Sequence, residues 1–415
     1  MRTSLGLWPA LFALACAACT TKNPYESDPI DLAQPGDLGA VDDLAGADLF
    51  GQFAPADHRG FPMLARASSG GLLSPMRLVV IVPSGDSMMS TLFAFADAAV
   101  TSKWFSAVTQ EYGVAPPLPT AAHLTGAAFP SGTAPLADAD VATYIQDTLA
   151  ATANAPNPDG HTLYLVYLPG GVDLANNVKC AGPGPSGYHH KYGTAGDGFA
   201  VIQQCQGGFE TGIEQLTIVG SHEIAEAATD SGLGWRMAIP ASTVPVWMSD
   251  PWLEYEDSRI TEDGDLCIDT RILEGDFYYQ RAFSNAAAAA GGDPCLPPLG
   301  IPYYGATTAK PWYSAIAGST LEVLISGWST APASDWIVRA KVQDTSVVGA
   351  AWTAAAGGTV LNNGKAATLT VTVPADAVSG DWASIYLLAE RQDTDKHPLA
   401  GDDYAHLQMV GVYVP

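Results

Sequence analysis

Basic side chains are scarce in this sequence. Its 415 residues include 18 Lys and Arg against 43 Asp and Glu, which gives a formal net charge of −25 at pH 7. The chain has no basic stripe that could neutralise a run of phosphates, and we therefore expect no nucleic-acid partner. The acidic excess instead suits the binding of divalent cations.

Other absences narrow the function classes. Beyond the N-terminus, no apolar run is long enough to span a membrane. No Gly-x-Ser-x-Gly segment joins a strand to a helix, which disfavours a serine hydrolase with that nucleophile elbow. Cys180, Cys205, Cys267 and Cys295 form no Cys-x-x-Cys pair, so a zinc site built from these four cysteines is a weak alternative.

The N-terminus has the composition of an export signal. Arg2 precedes an apolar run from Leu5 to Ala15, and small residues surround Cys16 and Cys19. A cysteine directly after such a run resembles a bacterial lipobox, in which the cysteine carries the lipid anchor. We predict a lipoprotein signal over residues 1–19, with either cysteine lipidated, and a place in the bacterial cell envelope or on its surface. An ordinary cleaved signal peptide is the alternative.

The four later cysteines are expected to form two disulfides, because an exported chain with an even number of cysteines is normally oxidised. Three connectivities are open. We favour Cys180 with Cys205 and Cys267 with Cys295, since each pair closes a short loop.

Residues 20–57 are polar and acidic and repeat Asp-Leu, which predicts a disordered tether. Over residues 58–300, strand and helix patterns alternate, as in an α/β domain. The predicted strands are Met76–Pro83, His161–Leu168 and Phe199–Ile202, and the predicted helices are Ser90–Tyr112, Asp138–Ala150 and Ile213–Asp230. We expect residues 235–298 to be a long irregular lobe over the site.

Residues 301–415 contain short strands with two-residue alternation, separated by Gly, Asn, Asp and Pro. This pattern predicts an all-β sandwich of immunoglobulin-like type. The fold class expected for the whole chain is therefore an α/β domain followed by that sandwich.

The helix Ile213–Asp230 carries the strongest chemical signal. His222 and Glu226 are four residues apart and share one face, and Glu223 follows His222. A zinc peptidase helix reads His-Glu-x-x-His, with two imidazole ligands and a general base. A carboxylate in place of the second His keeps a ligand there but moves the site towards oxygen chemistry, which Ca and Mn favour more than Zn does. The alternative is an amphipathic helix that shows its charges to water, but the neighbouring residues are small and apolar.

Further ligands have to come from other segments. His189 and His190 follow a Gly- and Pro-rich loop and point apart in extended chain, so at most one faces the site; both could equally be exposed. Asp230 and the acidic stretch from Glu254 to Asp265 offer other carboxylates, although a solvated loop explains any one of them.

Ser221 to Asp230 resembles the Ser-His-Glu-Leu-Ala-Glu-Ala-x-Thr-Asp/Asn segment of a secreted family that includes the plant EXORDIUM, or phosphate-induced, proteins and bacterial proteins named as metallopeptidases. The similarity extends to Gly187-Tyr188-His189, to the segment from Phe199 to Cys205, and to the segment from Glu262 to Cys267, and so covers about residues 61–269. The resemblance implies a site made of His189, His222, Glu223, Glu226, Glu262 and Asp265, and it favours His189 over His190.

We therefore expect an exported, lipid-anchored, metal-dependent hydrolase of peptidase type. Its fold class would be a zincin-like α/β domain, with Ile213–Asp230 as the active-site helix, followed by the all-β immunoglobulin-like sandwich. Glu223 would be the catalytic base, and His222 and Glu226 would be ligands, with His189, Glu262 or Asp265 completing the shell. The expected cofactor is a divalent metal, zinc first, with calcium or manganese as alternatives. The expected partner is a peptide or cell-wall polymer, and the lipid anchor is the sole expected membrane contact. The competing hypothesis is a non-catalytic surface protein with a structural cation or none.

Overall fold

A computed structural model describes thirteen segments of the chain. These are residues 53–60, 63–66, 71–129, 135–172, 174, 187–204, 212–230, 235–237, 262–268, 270–347, 349–356, 359–391 and 406–415. The predicted lipoprotein signal, most of the predicted tether and the cysteines of the predicted Cys180–Cys205 pair lie outside the described residues. Residues 53–415 belong to one compact unit.

The first half of this unit is built on a five-stranded sheet. A short strand, β1 (Leu64–Arg66), precedes it and pairs with β7 (Trp235–Met237). The strands of the sheet are β2 (Arg77–Pro83), β3 (Ala122–Gly126), β4 (Thr162–Leu168), β5 (Gly187–Tyr192) and β6 (Asp197–Gln203). Their order is β3-β2-β4-β6-β5, and β5 is an antiparallel edge strand on an otherwise parallel sheet. The predicted apolar strands are its centre.

Helices cover both faces of this sheet, because the central strands are apolar on both sides. The helices are α1 (Met89–Thr101), α2 (Lys103–Thr109), α3 (Asp138–Ala151) and α4 (Ile213–Thr229). Leu78 and Val80 pack in a core with α1, α2 and α4, whereas Val79 and Ile81 pack in a second core with α3. The α/β character predicted from the sequence is confirmed.

The helix predicted over Ser90–Tyr112 is divided. Ser102 has φ −70° and ψ 151°, an extended conformation, and its side chain accepts a hydrogen bond from the Phe105 amide. A serine that caps the second helix competes with continuation of the first helix. The spacing of the apolar residues does not change at Ser102, so it does not predict this break. A short 3-10 helix, Gln110–Tyr112, ends the segment.

The described part of the predicted irregular lobe contains regular elements. They are a 3-10 helix (Asp265–Cys267), β8 (Arg271–Glu274), β9 (Phe277–Gln280), β10 (Ala282–Phe283), α5 (Asn285–Ala289) and β11 (Cys295–Leu296). The hairpin β8–β9 lies against α4, where the backbone amide of Gln280 donates to Ser221 Oγ at 2.8 Å. The predicted Cys267–Cys295 disulfide is confirmed and ties the two ends of this region together.

The C-terminal region is almost entirely β-structure. Its strands are β12 (Tyr304–Thr308), β13 (Trp312–Ser314), β14 (Thr320–Ser329), β15 (Trp336–Thr345), β16 (Thr353–Ala355), β17 (Thr359–Leu361), β18 (Ala366–Thr372), β19 (Trp382–Arg391) and β20 (His406–Tyr413). One sheet has the order β12-β14-β18-β16 and the other β13-β20-β19-β15-β17, and side chains of both sheets meet in one core. This arrangement is consistent with a β-sandwich.

Residues 53–60 lie against this β-rich region. The Ala56 amide donates to Asn363 Oδ1 at 2.8 Å, and the Arg59 amide donates to Thr307 Oγ1 at 3.1 Å. The His58 ring stacks on Trp328 with 3.8 Å between centroids. Among the described residues, no helix has the length and apolar character needed to cross a membrane.

Candidate metal centre

Helix α4 carries three chemically reactive side chains, those of His222, Glu223 and Glu226. Glu223 and Glu226 are each 4% exposed. Gly220, one turn earlier, lets the helix approach closely, since a Cβ there would lie 2.8 Å from Tyr167 Oη and 3.1 Å from Phe95 Cε1. Such deep burial of two carboxylates is costly unless partners or a cation neutralise them.

The edge strand β5 brings His189 to the helix. His189 pairs with Ala200 of β6 and points towards α4, whereas the next residue, His190, is exposed. His189 Nδ1 is 3.2 Å from Glu223 Oε2 and 3.7 Å from Glu226 Oε2. Strand alternation therefore selects one of the two adjacent histidines.

The other side of Glu226 contacts His222 and the segment before Cys267. Glu226 Oε2 is 3.0 Å from His222 Nε2, and Asp265 Oδ1 is 3.8 Å from the same nitrogen. The Asp265 amide donates to Glu226 Oε1 at 3.2 Å. Asp265 Oδ2 in turn accepts a hydrogen bond from the backbone amide of Glu262 at 3.0 Å, within the same segment.

Glu262 approaches His189 from the side opposite Glu223. Its Oε2 is 3.4 Å from His189 Nε2, and that buried oxygen has no hydrogen-bond partner among the described residues. His189 Nε2 is also 3.2 Å from the Asp230 carbonyl oxygen, at the end of α4. Both ring nitrogens of His189 thus face acceptors.

Two glycines make room for the carboxylates. A Cβ on Gly187 would lie 2.8 Å from Glu223 Oε1 and 2.6 Å from Val219 Cγ1. A Cβ on Gly264 would lie 2.6 Å from Glu226 Oε1 and 2.9 Å from His222 Nδ1. Neither glycine has positive φ, so the requirement is close approach and not backbone conformation.

Gln280 of β9 supports His222 from behind. Its side-chain Nε2 donates to the Gly264 carbonyl at 2.8 Å and lies 2.8 Å from His222 Nδ1. A ligand imidazole usually has its second nitrogen held by a hydrogen-bonding group, which fixes the ring orientation. Gln280 is placed to do this.

The site carries a surplus of negative charge. Burial disfavours the charged imidazoles, but the neighbouring carboxylates outweigh it: they raise the pKa of His189 to about 10, and that of His222 well above its usual range. Burial raises the pKa of Glu262 well above its usual range and that of Asp263 to about 7. The His222 imidazolium lowers the pKa of Glu226 against the opposing effect of burial. A cluster that favours added positive charge in this way is suited to a cation.

All six side chains named by the sequence patterns are close together in the structure. Two groups have ligand atoms within 4.8 Å of one another: His189 with Glu223 and Glu226, and His222 with Glu226 and Asp265. Atoms bound to one tetrahedral zinc at about 2.1 Å lie roughly 3.4 Å apart. The separations of 3.0 Å and 3.8 Å from His222 Nε2 to its two carboxylates are close to this value.

The sequence did not single out Gln280 and Asp263. The Asp263 side chain is fully buried and accepts a hydrogen bond from Thr229 Oγ1 at 3.1 Å. Gly187 and Gly264 offer a signal in the sequence, because each stands within three residues of a proposed ligand and could indicate close approach of the backbone to the site. No sequence pattern indicates that β9 packs against α4.

Comparisons with known proteins do not place this chain in a family. No family model matches it, and no curated protein matches it. A solved structure of WR4, a C. elegans MSP family member, is similar over 28% of this chain and 98% of its own, with 12% sequence identity and a TM-score of 0.19. A likeness at that level carries no argument about fold or function.

Proposed function

We propose that this chain is a metal-dependent hydrolase of peptidase type, with its active site at the His222, Glu226 and Asp265 cluster. The observation that carries the proposal is the buried contact between Glu226 Oε2 and His222 Nε2 at 3.0 Å, next to the Asp265 carboxylate. Two further carboxylates, Glu223 and Glu262, lie beside His189. This donor set of imidazole and carboxylate suits zinc or manganese.

The residues fit a cation for a reason independent of sequence motifs. Glu262 is 8% exposed, and its Oε2 has no hydrogen-bond partner in the described part of the chain. It faces the His189 imidazole at 3.4 Å without a hydrogen bond, and a buried carboxylate oxygen in that position would be stabilised further by a cation. His222 and Glu226, with Asp265, would hold the cation, and His189 and Glu262 flank them.

When bound, a divalent cation would polarise a substrate carbonyl and lower the pKa of water. Glu223 accepts the proton of the attacking water, which adds to the carbonyl carbon of the substrate. The C–N bond then breaks, and the proton passes from Glu223 to the leaving nitrogen. His189, 3.2 Å from Glu223 Oε2, holds this carboxylate in place. The side chains of His189 and His222 are 12% and 13% exposed.

The α/β layers around α4, with an antiparallel edge strand that carries His189, support a zincin-like arrangement. The paired sheets of residues 304–413 support an immunoglobulin-like module. The Cys267–Cys295 disulfide supports export to an oxidising compartment, since such bonds are rare in the cytosol. On this basis we propose a lipid-anchored enzyme at the cell surface that acts on a peptide or a wall polymer.

A non-catalytic surface protein is the second candidate. The observation that favours it is the oxygen-rich donor set: four carboxylates, those of Glu223, Glu226, Glu262 and Asp265, surround two imidazoles. Calcium prefers such oxygens, and a structural calcium would leave the β-rich region as the binding module. A bound calcium without hydrolysis would support this reading.

The test compares Glu223→Gln with wild type on casein and short peptides. We expect Glu223→Gln to lower the hydrolysis rate by about 100-fold or more, as for loss of a general base, and a chelator to abolish hydrolysis by both proteins. Glu214→Gln, one residue into the same helix, is the matched control and should retain full activity. Hydrolysis that survives both Glu223→Gln and the chelator would rule out the enzyme proposal.

A further inference from the structure

Glu226 occupies a position between two imidazoles. Its Oε2 is 3.0 Å from His222 Nε2 and 3.7 Å from His189 Nδ1. Each imidazole also has a carboxylate of its own: Glu223 Oε2 is 3.2 Å from His189 Nδ1, and Asp265 Oδ1 is 3.8 Å from His222 Nε2. Two three-residue ligand groups therefore share one oxygen-bearing residue.

The outer contacts keep both groups oriented towards that shared oxygen. The Asp265 amide donates to Glu226 Oε1, which leaves Oε2 to face the two rings. His189 Nε2 is 3.2 Å from the Asp230 carbonyl oxygen, so a neutral ring that keeps its proton on Nε2 would present the Nδ1 lone pair to a cation in the cluster. Fixing a histidine ring by a backbone carbonyl in this way is common at metal sites.

Carboxylates outnumber imidazoles in the cluster. Glu223, Glu226, Glu262 and Asp265 all have an oxygen within 3.8 Å of an imidazole nitrogen. A cation held by His222, Glu226 and Asp265 would leave the carboxylates of Glu223 and Glu262, beside His189, as donors for a second cation. Asp263, fully buried beside Glu262, adds a further acidic group.

Glu262 is a further donor on the His189 side of the cluster. Its Oε2 lies 3.4 Å from His189 Nε2 and has no hydrogen-bond partner among the residues that the structure describes. A buried carboxylate oxygen without a hydrogen bond is rare in native proteins, and a cation beside His189 would give this oxygen a second charged partner.

We propose that the cluster is a dinuclear centre in which Glu226 bridges two divalent cations. His222 and Asp265 hold one cation, and His189 and Glu223 hold the other. The inference rests on the proposed cation site and changes its stoichiometry. Glu223 has two oxygens, so Oε2 binds the second cation while Oε1, over Gly187, remains to accept a proton. Paired cations about 3.5–4 Å apart, which stabilise both the attacking and the leaving atom of a hydrolysis, are a known arrangement in aminopeptidases and phosphatases.

The experiment measures how many cations the full chain binds. The protein is stripped with a chelator, titrated with Mn²⁺ or Zn²⁺, and analysed by native mass spectrometry and elemental analysis. We expect two ions per chain at saturation, and one ion per chain for His189→Ala and for His222→Ala. His190→Ala, which removes an exposed ring next to His189 in β5, is the matched control and should bind two. One ion per wild-type chain would overturn the proposal.

Electron paramagnetic resonance of the Mn²⁺-loaded wild-type protein gives a readout that needs no variant. Two bridged Mn²⁺ ions give an exchange-coupled spectrum, whereas an isolated-ion spectrum at two equivalents contradicts the bridge. The two proposals fail separately. Hydrolysis with one bound ion contradicts the dinuclear centre alone, two bound ions without hydrolysis contradict the enzyme alone, and no bound ion contradicts both.

Discussion

Glu226 Oε2 lies 3.0 Å from His222 Nε2, one helical turn away along α4. A helix brings residues four apart onto one face, so this contact is local and depends on no other part of the fold. Two side chains from distant segments lie beside this pair and make a metal site possible. His189 comes from the edge strand of the sheet, and Asp265 comes from a segment held by a disulfide.

The first prediction concerns the space around the carboxylates. Gly264→Ala puts a methyl group 2.6 Å from Glu226 Oε1 and 2.9 Å from His222 Nδ1, so the ligands have to move. We expect Zn²⁺ affinity, measured by competition with a chromophoric chelator, to fall by about 10-fold or more. Gly60→Ala, where nothing lies within 4 Å of the added Cβ, is the control. Equal affinities for the two variants would contradict the close approach.

The second prediction concerns Gln280 as a positioning residue. Its side-chain Nε2 lies 2.8 Å from His222 Nδ1 and donates to the Gly264 carbonyl at 2.8 Å, so it links the imidazole to the segment that carries Asp265. Gln280→Leu, which removes both contacts, should weaken Zn²⁺ binding by about 10–100-fold. Wild-type affinity in Gln280→Leu, with the fold intact by circular dichroism, would show that the side chain does not position His222.

The third prediction concerns the Cys267–Cys295 disulfide. It closes a separation of 28 residues and anchors the segment that carries Glu262 and Asp265. The double variant Cys267→Ser, Cys295→Ser should lose about 3–4 kcal/mol of unfolding free energy in urea, from the loop entropy restored to the unfolded chain. Zn²⁺ affinity should fall as well. Stability that falls while affinity is unchanged would show that the segment is held by its packing and not by the bond.

The fourth prediction concerns pH and the buried His406 of β20. Its ring lies edge-on to Tyr303 and Tyr304, and burial, with help from Arg281, holds its pKa well below 6.5. The unfolded chain therefore binds a proton at higher pH than the folded chain does. The contribution of His406 to the free energy of unfolding is complete above about pH 6.5. It is lost as the pH falls towards the lower pKa of the folded state, at a slope of up to about 1.4 kcal/mol per pH unit.

The measurement is urea unfolding of wild type and His406→Phe between about pH 5 and 8. We expect the difference in unfolding free energy between the two proteins to shift in favour of the variant as the pH falls through that window. A difference that does not change with pH would mean that His406 does not titrate on unfolding.

Local patterns predicted the parts of the fold that depend on periodicity. The central strands and helix α4 follow from periodic runs such as Leu78–Val82, and two-residue alternation predicted the β-structure of the C-terminal region. Ser102 divides a predicted helix because a side-chain cap outweighed the apolar period. The short strands β16 and β17 were not predicted, since three residues carry too little pattern.

The residues of the candidate site likewise include some that local sequence patterns predict and some that they do not. His222, Glu223 and Glu226 follow from helix spacing, whereas Glu262 and Asp265 were selected by a family resemblance among several equivalent acids. Gln280 follows 58 residues after His222, and its contact depends on a hairpin that packs against α4. Side-chain contacts of that range leave no periodic signal in the sequence.

The central claim, that this buried cluster binds divalent cations, is tested most directly by anomalous diffraction from crystals of the full chain grown with Zn²⁺ or Mn²⁺. We predict anomalous peaks about 2.0–2.2 Å from Glu226 Oε2, on the sides facing His222 Nε2 and His189 Nδ1. Absence of any peak next to Glu226 at saturating metal, with the cluster otherwise as described, would contradict it.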